Sequence, residues 1–196
     1  MLLDHTKIEG VQMKKIHMFV DNSNVKIEGT RLAYAKRHRG GQRGVEVDNS
    51  YEIDWGKFLH LVKSRGNRLS AQVPVLYGSR PPPDDSIWTA IRGEGFDVKL
   101  FDRNIRDKEK GVDMEMGMDV VERIMSVNPP ETIVIVAGDA DFKGVVERAK
   151  KKGWDVEVWF WGNAAQEMQN VATFINLDKA FDYLKKNGGV PLPPAM

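Results

Sequence analysis

A three-layer α/β/α sandwich around a central, mainly parallel sheet is the fold class this chain predicts, on three observations. Short apolar runs rich in β-branched residues alternate with helical patterns along most of the chain. One run, Ile133-Val-Ile-Val-Ala137, has no polar alternation, as a strand covered by helices on both faces requires. It stops abruptly at Gly138, Asp139 and Asp141, and a helical pattern follows at once. In open sheets of this kind, ligands bind just beyond the carboxyl ends of strands. That is where these acids fall.

Composition sets the outer bounds. The 196 residues are 41% hydrophobic and 29% charged, which suits one globular domain with a substantial core. No apolar run approaches the ~20 residues of a membrane span, and the first fifteen residues lack a signal-peptide pattern. The expectation is a cytoplasmic protein with no membrane partner, and no feature calls for a homo-oligomer. The chain has no cysteine, which excludes disulfides and thiolate metal sites. Net charge is only +1, yet Arg31, Lys36, Arg37, Arg39 and Arg43 crowd one short segment. The domain reading is an N-terminal arm over 1–14 and a single domain over 15–187 with a basic insertion at about 31–44. A flexible Gly/Pro tail over 188–196 completes it.

In order, Ile16–Val20 is the first strand, and Asp21-Asn-Ser-Asn24 offers caps for a helix reaching His38. A basic loop, Arg39–Gly44, follows, and 45–53 is a short β excursion at most. Asp54 opens an amphipathic helix ended by Gly66. Gln72–Tyr77 is a second strand in which Pro74 demands an early or edge position. After the Pro81–Pro83 turn come a short helix over 84–94, capped by Asp84 or Asp85, and a strand, Phe96–Phe101. A helix over Val112–Val127 ends at Pro129 and Pro130. The Thr132–Ala137 strand and its helix lead to an alternating strand, Trp154–Trp159. A short helix, a strand over Thr173–Leu177 and a terminal helix over 178–186 finish the pattern.

Asp21, the pair Asp139 and Asp141, and Asp113 in a first helical turn all fall at the rim where strands end and helices begin. Crowded carboxylates repel unless a cation neutralises them. A hard divalent ion with oxygen ligands does so, and Mg²⁺ in particular prefers a few carboxylates, waters and a phosphate oxygen. Taken singly, each acid is equally well explained as a helix cap or a first-turn charge. Convergence is the argument. His5, His17, His38 and His60 show no ligand spacing for a histidine zinc site.

Three blocks, Phe19-Val-Asp-Asn-Ser-Asn-Val25, Lys110-Gly-Val-Asp-Met-Glu-Met-Gly-Met-Asp119 and Val136-Ala-Gly-Asp-Ala-Asp-Phe142, resemble in content and order the signature blocks of NYN domains, which are PIN-like ribonucleases. The resemblance covers roughly residues 15 to 160. It implies an endoribonuclease dependent on Mg²⁺ or Mn²⁺ and acting on single-stranded or structured RNA. On that resemblance Asp21, Asp113 and Asp139 are the metal ligands. Asp141 completes the acidic set, and Asn24 orients a carboxylate or water. Asp119 matches a second acid of the middle block; at ~100° per residue it lies about 120° from Asp113, a supporting position. Arg80, Lys110, Lys143, Arg37 and Arg39 are candidate phosphate contacts, each equally readable as a surface cation. Trp159 and Trp161 are either a base-stacking platform or core, with core favoured for at least one. An adhesion-type metal site wants a hydroxyl where Val25 stands, and a haloacid-dehalogenase-type phosphatase wants an acid where Ser23 stands. The strongest rival is a non-catalytic RNA-binding or scaffold protein on the same fold.

Overall fold

The computed structural model describes residues 7–8, 11–38, 44–66, 68–80, 85–102 and 110–194, with side chains placed for all of these except 7, 8, 11, 12, 80, 102 and 110. Arg39 and Arg43 of the basic segment, the Pro81–Pro83 turn and the cap candidate Asp84 lie outside the described residues, as do the side chains of Arg80 and Lys110.

Among the described residues, seven strands form one sheet. The long central strand is β3 (Lys14–Asp21), followed by α1 (Asn22–Arg37) and α2 (Trp55–Ser64). Then come β4 (Arg68–Ser70), β5 (Val75–Arg80), α3 (Ser86–Gly93), β6 (Asp97–Asp102) and α4 (Lys110–Ser126). β7 (Thr132–Val136), α5 (Lys143–Lys151), β8 (Asp155–Phe160), α6 (Gln166–Val171), β9 (Thr173–Asn176) and α7 (Phe181–Leu184) complete the layers. The order across the sheet is β6-β5-β3-β7-β8-β9, with β4 also paired to β3, and every neighbouring pair is parallel. The chain winds outward from β3 to β6, then returns to the other side of β3 to lay down β7. Strand order therefore reverses between β3 and β7, where such folds open a crevice.

Side-chain alternation divides the core in two. Ile16, Met18 and Val20 of β3 join Val134 and Val136 of β7 beneath α1, α2, α3 and α7. Phe19 joins Ile133, Ile135 and Ala137 beneath α4, α5 and α6. Five consecutive buried residues in β7 serve both layers, which is why that run carries no polar alternation. The fold is the expected three-layer sandwich.

Several local details differ from the expectations. The second strand starts at Val75, because Pro74 has no N–H to give the ladder. The three-residue strand β4 pairs with the first half of β3, Lys14 against Arg68 and Ile16 against Ser70. In the arm, β1 (Lys7–Ile8) and β2 (Val11–Gln12) pair antiparallel as a separate ribbon. The terminal helix is only one turn after a 3-10 segment, Leu177–Ala180, and Lys185 instead makes a β-bridge with Ile53. In the tail, Leu192 packs half-buried against the core and the Gly188 carbonyl accepts from Lys57 Nζ at 2.6 Å. No helix among the described residues is long and apolar enough to cross a membrane.

Candidate active site at the strand-order reversal

Asp21 is the last residue of β3 and the N-cap of α1, where its Oδ1 accepts the Asn24 amide at 3.0 Å. Such a cap contributes about 1 kcal/mol, and only 5% of Asp21 is exposed. Its pairing partner across β5 is Tyr77. On the other side, Val20 pairs with Val136, so β3 and β7 end nearly level. Asp139, three residues beyond Val136, caps the 3-10 turn Ala140–Phe142 that leads into α5, its Oδ1 accepting the Asp141 amide at 3.0 Å. Asp113 stands in the first turn of α4.

Asp21, Asn24, Asp113 and Asp139 line one cleft of about 230 Å³, together with Ser23, Ile27, Val112, Glu28 and Arg31. Three carboxylates from three elements thus share one cavity at the reversal point. Asn24 does more than line it. Its Oδ1 accepts the Gly138 amide at 2.8 Å, tying the α1 start to the turn that carries Asp139. Gly138 is required there for space, because its φ lies outside the left-handed range and an added Cβ would meet the Phe160 ring at 2.2 Å.

The remaining candidates lie elsewhere. Asp141 is exposed and opens onto a wider neighbouring groove of about 1040 Å³ between α4 and α5, as does Asp119, and Asp113 lines this groove as well as the cleft. That groove is largely apolar, with Met114 66% and Met118 61% exposed. Asp119 accepts from the Tyr77 hydroxyl and from Lys99 Nζ, the latter at 2.5 Å. Burial raises the Tyr77 phenol pKa strongly, and its bond to Asp119 raises it further, so the phenol stays a donor. Lys143 is exposed and pairs with Glu147 at 3.9 Å. Arg37 ends α1, about 22 Å from its first residue at 1.5 Å per residue. There it pairs with Asp48 at 3.0 Å and bonds Ser50, because the helix runs through the basic segment and carries Arg37 away from the rim. Trp159, Phe160 and Trp161 are all buried and form no stacking platform. Trp161 Nε1 donates to the Val25 carbonyl at 2.8 Å, fixing the second turn of α1.

One cleft residue, Glu28, escaped the sequence reading, and another, Arg31, was read there only as part of the basic segment. Glu28 and Arg31 form an i,i+3 ion pair on the same face of α1 as Asn24, and Glu28 also accepts from Asn163 Nδ2. Their helical spacing from Asn24, four and seven residues on, was the available signal. The cleft is acid-rich, yet among the described residues no three His, Asp or Glu side chains are gathered closely enough to hold one metal ion directly. The donors present are hard carboxylate oxygens, which suits a hydrated Mg²⁺ that takes one or two carboxylates and keeps its waters.

A model of the NYN domain matches residues 15–178. No curated protein matches the chain at significant similarity. Among solved structures, the chain is similar to the crystal structure of a Vibrio parahaemolyticus protein of unknown function. The TM-score is 0.67 at 20% identity, covering 91% of this chain and 100% of that one, a likeness of fold.

Proposed function

The chain belongs to the NYN domain family, a PIN-like ribonuclease family, and from that premise we propose that it hydrolyses RNA phosphodiester bonds endonucleolytically with the help of Mg²⁺ or Mn²⁺. One observation carries the reading: Asp21, Asp113 and Asp139 arrive from three separate elements in a single cleft where strand order reverses. Asp21, Asp113 and Asp139 would hold a hydrated ion, no more than two of them touching it directly and the rest acting through its waters. When bound, such an ion lowers the pKa of a water and offsets charge gathering on phosphorus. Asn24 positions Asp139 by holding the Gly138 amide. The Asp141 amide steadies the Asp139 carboxylate, so Asp141 acts through its main chain. The starts of α1 and α4 bring the positive ends of their helix dipoles to the same rim, an environment that favours a phosphodiester. Arg31, which lines the cleft, adds a cation for the strand.

The test is incubation of labelled RNA with purified protein in Mg²⁺, Mn²⁺ or EDTA, alongside Asp139→Asn. Internal cleavage that requires the metal and disappears in Asp139→Asn is expected. Cleavage surviving EDTA, or unchanged in the variant, sinks the mechanism. The lack of a three-donor cluster among the described residues favours one other reading, a non-catalytic RNA-binding module. Retained RNA binding without cleavage under either metal would decide for it.

A further inference from the structure

Helix α1 is a wall between two cavities. Ser23, Asn24, Glu28 and Arg31 face the acidic cleft, while Asn22, Lys26 and Thr30, at four-residue spacing, line a second pocket of about 360 Å³. Asn22 is the residue next to Asp21, so the two cavities meet at the first turn of α1. Taking the hydrolytic reading as its basis, we propose that this second pocket receives a base of the RNA strand adjoining the phosphate in the cleft.

The lining suits a nucleobase. Tyr51 and Trp55 form part of it, with Ile91 and Ala90 of α3 contributing aliphatic surface. Base pockets combine apolar or aromatic walls with hydrogen-bonding groups for a base edge. Asn22 supplies such a group: only 8% of the residue is exposed, and among the described residues its carboxamide has no hydrogen-bond partner. Asn49, exposed, also lines the pocket. The charged lining consists of Lys26 and Lys186 against Glu52, Asp54 and Glu94, with Lys186 already paired to Glu52 at 2.7 Å. That balance repels a phosphate and accepts an uncharged base. Carboxylates are acceptors only, so they prefer bases that carry an exocyclic amino group, such as adenine or cytosine, over uracil, which has none.

The experiment uses 5′-fluorescein octaribonucleotides rA8, rC8 and rU8, titrated in EDTA against the full chain and followed by anisotropy. Wild type is expected to bind rA8 or rC8 about tenfold more tightly than rU8, the scale of one well-held base. Ala90 is exposed, so Ala90→Phe fills the mouth without disturbing the core. It should bring all three ligands to the rU8 level, and Asn49→Ala should narrow the difference in the same direction. Equal wild-type affinities, or unchanged affinities in both variants, overturn the pocket. If the discrimination is seen but no RNA is cut with Mg²⁺ or Mn²⁺, the pocket stands and hydrolysis fails. If RNA is cut and Ala90→Phe keeps the wild-type KM and base preference, hydrolysis stands and the pocket fails.

Discussion

The Asn24 carboxamide oxygen accepts the Gly138 amide at 2.8 Å, joining residues 114 positions apart in the chain. Asn24 is itself held by Asp21 through its own amide. One short chain of bonds therefore runs from the end of β3 to the turn after β7. Asn24→Ala leaves the buried Gly138 amide without this acceptor, at a cost of about 1–3 kcal/mol. A lower urea midpoint is expected, with RNA cleavage reduced at least tenfold because Asp139 loses its register. Asn24→Asp keeps an acceptor and should recover most of the midpoint. Equal midpoints for wild type and Asn24→Ala would show that the bond does not hold the turn.

Gly138→Ala should destabilise by about 1–3 kcal/mol, the usual range for overpacking. The added methyl would lie 2.2 Å from Phe160, a fully packed ring that has no space to retreat into. Phe160→Leu in the same chain should relieve part of the clash. Denaturant unfolding of the two single variants and the double variant tests this: strict additivity would mean the contact is not the cause.

A buried ion pair spans the layer under α2. Arg68 of β4 donates to both Glu157 oxygens, at 2.6 and 2.7 Å, and Trp159 Nε1 donates to the same carboxylate at 2.9 Å. Burial pushes the Glu157 pKa up, but bonds from Arg68 and Trp159 and the nearby Arg65 outweigh it and leave it lowered. Arg68→Met strips the main partner from a buried carboxylate and should cost about 3–5 kcal/mol. Arg68→Met with Glu157→Gln removes the stranded charge and should recover much of that loss. Thermal unfolding at neutral pH separates the two outcomes.

His17 predicts a pH signature. It lies 2% exposed on β3, its Nε2 at 2.6 Å from Glu131, with Trp154 edge-on to the ring and Arg123 and Lys15 acting on it electrostatically. Burial lowers its pKa below 6.5; the Glu131 bond raises it but does not prevail. The unfolded chain therefore binds more protons in this window, and stability rises with pH. His17's contribution is complete above pH 6.5 and is lost as pH falls through the folded value. Wild-type Tm should fall over that window and His17→Gln should flatten the fall. A variant with the wild-type slope would assign the effect to another group.

What the sequence discloses and what it hides follow from range. Ile133–Ala137 announces a buried strand because five local residues carry the signal, and Asp139 inherits a rim position from it. Asp21 is legible in the same way. β4 is not, since three residues hold no period and its pairing with Lys14–Ile16 is tertiary. Separating Asp141 from Asp139 needed the 3-10 turn, which sends neighbouring acids to different cavities. Glu28 hid in a helix of weak amphipathic pattern. The pocket behind α1 is assembled from four separate segments, so no single stretch marks it.

The crossover from β6 back to β7 also has a consequence in time. Asp21 and Asp139 are 118 residues apart in the chain (139 − 21) and become neighbours only when β7 docks beside β3. Contacts this remote form late, after the loop between them has closed. During synthesis the first half of the sheet, β3 to β6, is made without its acidic partner, and domains of this kind settle as units once their chain is available. A growing chain thus carries no complete cleft, however well its early strands have paired. A truncation before residue 139 leaves Asp21 as no more than a helix cap.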